Sequence, residues 1–400
     1  MTALSGVAAG DQGVAWGVEV YVASDDAADA LAQTRRAGAA TSHEDSPELA
    51  ASVADALIHL GFKTWDFGDS VAFEALIAAS DVLGDERWVR FAHGYGRAWA
   101  TRSRPFVRLD CTVPGRALVG IATRFGDAQL LHTLKDLADY LMTRPTLDGV
   151  FETWERSPLL APYGDATLDD HAQALLEHPP AGVFVDCLHF DPPFFAALGV
   201  ALDDSAYLDA GIEQALGYIR QLQTPDGLFD HFTLRGEAGS FGPGWGRGQG
   251  WAILGLLEVI DSIDHFGGDD RTEVREALAA SARALLQTMV GLQREDGHWF
   301  AVVTDPDSGD EFSTAGFIAF ALHTALDAGI VQGHEMIASL SLARQAILAS
   351  LDDRGQLREV SAAVYASTEP THYGRVPRGY VVPWGQGPAL LALVAKGNQS

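Results

Sequence analysis

The chain has 400 residues, 47% of them apolar, and a formal charge of −27. That length and apolar content allow a large buried core, built either as two ordinary domains or as one large toroid or barrel. The acidic balance disfavours nucleic acid or an anionic membrane as partner, because phosphate surfaces reward basic ones, so an anionic substrate needs a local positive group.

Residues 1–45, rich in Ala, Gly and Asp, read as an irregular leader, and residues 46–400 as a single domain. The first residues lack a basic start followed by an apolar run, and no stretch of about 18 uninterrupted apolar residues occurs. A soluble, cytoplasmic protein is expected. From residue 46 onward, amphipathic segments alternate with uniformly apolar ones rich in Ala, Gly and Phe. The pairs are 46–60 with 68–83, 86–101 with 112–124, 127–143 with 191–201, 204–223 with 248–263, 271–293 with 313–328, and 333–350 with 385–396. Each pair predicts a helical hairpin, its amphipathic member outside and its apolar member inside. Six hairpins closing in a ring give an all-α (α/α)6 toroid, with the N-terminal ends of the inner helices around one cavity; an open superhelix is the alternative. Irregular segments near 144–190, 229–247 and 352–384 then form the rim.

The connections repeat as well. Asp148-Gly149-Val150-Phe151, Asp226-Gly227-Leu228-Phe229, Asp296-Gly297-His298-Trp299 and the looser Asp353-Arg354-Gly355-Gln356-Leu357 each follow an amphipathic segment. Such a pair reverses the chain, with the glycine at positive φ. A second repeat marks the inner-helix entrances: Trp65-Asp66-Phe67-Gly68, Trp245-Gly246-Arg247-Gly248 and Trp384-Gly385-Gln386-Gly387. Its recurrence from first to last hairpin favours closure around a shared site. The fullest version, residues 244–251, puts four glycines, two tryptophans and Arg247 into eight residues.

Asp186, in an apolar and aromatic stretch just before an inner helix, is the strongest acid/base candidate. Apolar surroundings penalise a charged carboxylate and raise its pKa, which suits a proton donor. The competing role for Asp186 is a helix cap, for which Asp191, beside Pro192 and Pro193, is better placed. Asp110 opens a parallel segment at the previous inner helix, so the two carboxyl groups are expected to face one cavity. Each is followed by a cysteine, Cys111 and Cys187, the only two in the chain, which brings these dipeptides together in the same picture. Both are expected to be small buried thiols. Arg247, between glycines, can hold a carboxylate with its fork or stack on a neighbouring Trp. His189, His231, Trp65, Trp245, Trp251 and Trp384 complete the candidate binding set, with Ser313 beside Glu311 as capping groups or polar contacts at the fifth entrance. No metal motif, nucleophile elbow or phosphate-cradling turn occurs, so neither metal nor other cofactor is expected.

In chain order, Asp186 with Pro193-Phe194-Phe195-Ala196, then Thr224-Pro225-Asp226-Gly227-Leu228-Phe229-Asp230-His231, then Trp245 to Trp251, then Glu311-Phe312-Ser313-Thr314-Ala315 resemble glycoside hydrolase family 105, to which family 88 is related. The resemblance runs from about residue 60 to 395. It implies removal of a 4,5-unsaturated uronic acid from the non-reducing end of oligosaccharides left by polysaccharide lyases. It also implies that Asp186 is the general acid/base, that Asp110 is a second carboxylate near the ring, and that His231, Arg247, Trp245 and Trp251 form the binding wall. Three departures stand out: Gln249 where Asn is expected, Cys187-Leu188-His189-Phe190 after Asp186 where a small residue and methionine are expected, and Phe151-Glu152-Thr153-Trp154 where a histidine is expected. An (α/α)6 epimerase or inverting glycosidase on saturated sugars, or a non-catalytic carbohydrate-binding toroid, would share this architecture.

Overall fold

The structure, a computed structural model, describes residues 37–395 apart from 61, 63, 64, 66, 103, 104 and 165. Most of the expected 1–45 leader therefore lies outside the described residues. Its last residues do not stand free: Gly38 N–H donates to Asp352 at 2.7 Å and Thr41 N–H to the Leu351 carbonyl at 3.0 Å.

The hairpins run as read. The outer helices are α1 (Pro47–Ile58), α3 (Arg87–Ala100), α5 (Ala128–Leu141), α8 (Ser205–Leu222), α10 (Thr272–Gly291) and α12 (His334–Ser350). The inner ones are α2 (Asp69–Leu83), α4 (Gly115–Phe125), α7 (Cys187–Leu202), α9 (Gly246–Phe266), α11 (Ser313–Asp327) and α14 (Pro383–Val394). Two short helices, α6 (Asp170–Glu177) and α13 (His372–Arg375), belong to the rim. The difference between outer and inner helices is compositional. In α14 every residue is buried, whereas in α3 only five of fourteen are, because Arg, His and Gly keep its outer face wet.

Inner helices touch their neighbours in sequence, and α14 returns to α2, which closes the ring. Glycines set this close packing. A Cβ on Gly250 would lie 2.4 Å from the Phe317 ring, and one on Gly316 would lie 2.7 Å from the Pro388 backbone. The Asp-Gly turns knit the outer ring in the same way. Gly227, Gly297 and Gly355 all have positive φ and pack on α10, α12 and α1 respectively, the last contact joining the sixth hairpin to the first. The glutamines of the entrance motifs clasp these turns. Gln249 accepts from Phe229 N–H at 2.8 Å and donates to the Phe229 carbonyl at 2.8 Å, and Gln386 does the same to Leu357 and Gly355 at 2.6 and 2.9 Å. Gln249 thus serves the scaffold.

The rim carries short antiparallel pairs that the helical reading did not anticipate: β1 (Thr146–Leu147) with β2 (Val150–Phe151), β3 (Gly182–Phe184) with β4 (Phe232–Leu234), and β5 (Phe300–Val302) with β6 (Asp305–Asp310). The β3–β4 pair joins the third and fourth hairpins at the mouth of the ring, with Phe184 opposite Phe232. Among the described residues no helix is long and apolar enough to cross a membrane.

Candidate active site

A cavity opens at the N-terminal ends of the inner helices, walled by Trp65, Phe67, Trp154, Phe184, Asp186, His231, Trp245, Arg247 and Tyr365 among others. Five expected site residues meet there: Trp65, Asp186, His231, Trp245 and Arg247.

Asp186 directly precedes α7, yet its side chain makes no capping bond to that helix. The carboxylate instead faces His231, whose Nε2 lies 3.3 Å from Asp186 Oδ2. The other imidazole nitrogen, Nδ1, lies 2.7 Å from the Tyr373 hydroxyl, and the ring packs on Trp245 at 4.4 Å between centroids. His231 is placed by the β3–β4 pair: its backbone carbonyl accepts from Val185 N–H at 2.8 Å, one residue before Asp186. The strand pairing therefore sets acid and histidine side by side.

Asp191 is not the helix cap. The helix begins at Cys187, five residues earlier than the prolines suggested, and Asp191 forms a buried ion pair with Arg144 at 2.7 Å. Pro192 and Pro193 are tolerated inside α7 although they leave the Leu188 and His189 carbonyls without their usual helical donors. The Leu188 carbonyl is packed against Gly255, where a Cβ would lie 2.2 Å away.

Arg247 is fully buried and committed. Nη1 donates to Glu311 at 3.0 Å and to Ser361 Oγ at 2.8 Å, Nη2 to the Ala362 carbonyl at 3.2 Å, and the group lies over Trp245 at 5.1 Å. Burial pushes its pKa down against the opposing pull of Glu311. Burial also works to raise the Glu311 carboxyl, but Arg247 and the bonds from Ser313 and Ser361 outweigh it and hold the group below its ordinary value. Ser313 serves this network and does not line the cavity; its Oγ donates to Glu311 at 2.6 Å. Arg247 Nε and Trp65 Nε1 are buried donors with no hydrogen-bond partner among the described residues.

Other expected residues stand elsewhere. His189 lies in the toroid core, with Nδ1 3.1 Å from Ser70 Oγ and Nε2 3.1 Å from Glu74 and 3.4 Å from Glu258. Burial works against its charge, but the two glutamates prevail and raise its pKa to about 10. Glu74, His189 and Glu258 are close enough to hold a metal ion. Arg116, 3.6 Å from both glutamates, and the proton on His189 already supply that positive charge. Trp251 packs edge-on against Phe317 at 4.7 Å, and Trp384 donates to the Ser361 carbonyl at 3.0 Å; neither lines the cavity. Asp110 is buried in a turn of 3-10 helix, Arg108–Thr112, where it accepts from Val107 N–H at 2.7 Å. Its neighbours Leu109 and Thr112 reach the cavity wall. The two Asp-Cys dipeptides do lie together, since the Cys111 thiol acts electrostatically on that of Cys187.

Sequence reasoning passed over Tyr373, Phe67, Tyr365, Thr153 and Trp154. The last two occupy the place where a histidine was expected, in a segment whose only sequence signal was that departure.

Known proteins share this fold and its sequence pattern. The unsaturated rhamnogalacturonyl hydrolase YesR of Bacillus subtilis is 25% identical over 351 residues, covering 86% of this chain and 94% of that protein. A possible member of family 105 from Salmonella enterica serovar Paratyphi A superposes with a TM-score of 0.75 at 18% identity, covering 88% of this chain and 94% of that one. An unsaturated glucuronyl hydrolase from Bacillus sp. GL1, responsible for glycosaminoglycan degradation, does so with a TM-score of 0.60 at 20% identity, covering 87% and 96%. The sequence profile of Glycosyl Hydrolase Family 88 matches residues 53–396, and the chain belongs to that family as a glycoside hydrolase.

Proposed function

We propose that this enzyme removes a 4,5-unsaturated uronic acid from the non-reducing end of lyase-generated oligosaccharides, with Asp186 as general acid/base. The observation that carries the reading is the uncommitted carboxylate of Asp186, poised in an aromatic cavity against His231 Nε2. Protonated Asp186 delivers its proton to carbon 4 of the double bond while a water oxygen bonds to carbon 5; the water's proton returns to the carboxylate. Carbon 5 then carries both a hydroxyl and the ring oxygen. Opening of that hemiketal leaves a ketone at carbon 5 and a hemiacetal at carbon 1, which expels the neighbouring sugar as an alcohol. No glycosyl-enzyme bond is needed.

Trp245 and Trp154 supply flat faces for the sugar ring, and the Arg247 charge over the Trp245 ring favours an anionic one. Asp110, with Oδ2 held by Val107 N–H, contributes a fixed carboxylate beside the site. Two of the relatives above are an unsaturated rhamnogalacturonyl hydrolase and an unsaturated glucuronyl hydrolase, which supports the same class here. The test is the ultraviolet absorbance of the conjugated enol carboxylate, followed on lyase digests of pectin, ulvan, glucuronan and glycosaminoglycan. Loss of absorbance on at least one digest is expected. Activity confined to saturated sugars would instead favour an epimerase or inverting glycosidase.

A further inference from the structure

Beyond the wall of the cavity, one residue touches the reacting pair without lining the site. Tyr373 is on the short helix α13, in the long rim segment before the last inner helix, and is 2% exposed. Its hydroxyl oxygen lies 2.7 Å from His231 Nδ1. Room for it is made at Gly242, where a Cβ would stand 2.2 Å from that oxygen.

We propose that Tyr373 is a positioning residue that fixes the tautomer of His231 and, through it, the orientation of the Asp186 carboxylate. The proposal rests on the reading of Asp186 as general acid/base. A neutral imidazole has one donor and one acceptor nitrogen, and which is which is set by the bond the other makes. Among the described residues Nδ1 is the acceptor within hydrogen-bond reach of the Tyr373 hydroxyl, so the phenol hydrogen goes there. Burial, and then the negative charge of Asp186, push the Tyr373 pKa well above its ordinary value, so the phenol remains a donor. With Nδ1 an acceptor, the ring proton resides on Nε2, the nitrogen that lies 3.3 Å from Asp186 Oδ2. That N–H draws the nearer carboxylate oxygen toward the ring and leaves the other, Oδ1, to carry the proton that moves to and from substrate. Tyr373 O–H thus donates to His231 Nδ1, and His231 turns its protonated Nε2 toward Asp186.

The test combines a spectroscopic readout with kinetics. In nitrogen-15 NMR of the unliganded wild-type enzyme near neutral pH, His231 is expected as the neutral Nε2–H tautomer. In Tyr373→Phe, which keeps the ring packing, that single tautomer is expected to give way to a mixture. Its kcat is expected to fall about tenfold, the factor of one lost neutral hydrogen bond, with KM changed by less than about twofold. An Nδ1–H tautomer or an imidazolium in the wild type overturns the proposal without reference to turnover, as does Tyr373→Phe with unchanged tautomer and kcat. Retained turnover in Asp186→Asn would overturn the acid/base reading instead, and the NMR result separates the two failures.

Discussion

Glu311→Gln probes how the cavity wall is held. The carboxylate is 1% exposed and accepts from Arg247 Nη1 at 3.0 Å, Ser361 N–H at 3.0 Å, Ser313 N–H at 3.3 Å, Ser313 Oγ at 2.6 Å and Ser361 Oγ. The amide that replaces it turns one acceptor into a donor facing other donors, and leaves the fully buried Arg247 charge without its partner. Breaking a buried pair in this way costs about 3–5 kcal/mol. At ~2.1 cal/mol/K of unfolding entropy per residue, a chain of this length loses about 4–6 °C in Tm for that cost. Ser361 and Ala362, which receive Arg247, lead into Ala363, Val364 and Tyr365 of the cavity wall, so KM is expected to rise with the loss of stability. Calorimetry and Michaelis kinetics on the same preparation measure both. The apolar double replacement Arg247→Met with Glu311→Leu is expected to cost less than Glu311→Gln alone, because no charge is then left buried. A Tm drop below about 1 °C for Glu311→Gln would refute the claim that this pair pins the rim.

Three further outcomes are expected. His189, raised to about 10, contributes stability that is fully present below its ordinary value of 6.5 and is lost as pH rises through about 10; chemical denaturation across that range should show the decline, and His189→Gln should flatten it. Buried His298 and His372 have pKa values lowered to about 4, chiefly by burial, so their contribution is present above 6.5 and is lost as pH falls through about 4; replacing His298 with Gln should weaken the acid sensitivity of Tm. Gly297→Ala, at φ 87° with its Cβ 2.4 Å from the Leu342 carbonyl, should lose more than about 1 kcal/mol in urea titration, and a neutral result would contradict the packing of the Asp-Gly turns on the next outer helix.

The toroid was legible because its signals are periodic. Burial on all sides leaves the inner helices with little room for charge, the outer ones need one wet face, and the turns repeat a residue pair whose glycine must take positive φ. Asp186, His231, Trp245 and Arg247 were legible because they stand at those repeated joints. What escaped was set by contacts between distant segments. The glycines of the 244–251 run gave no sign of their neighbour: a second inner helix fills the space beside them, with Thr314 against Gly246 and Phe317 against Gly250. His189 looked like part of the wall because it is three residues from Asp186, yet within a helix that spacing carries it down one turn, into the glutamates. Tyr373 lies in a rim segment without periodicity, and only the folded ring brings it to His231, 142 residues away.

The most direct measurement of the central claim is the rate of absorbance loss for Asp186→Asn on an oligosaccharide that the wild-type enzyme consumes. Asn keeps the shape of the side chain and its approach to His231 but cannot donate and then accept the proton. The account predicts a fall of about 10²–10⁴-fold in kcat with the folded structure intact by circular dichroism. A variant that turns over within about tenfold of wild type would contradict it.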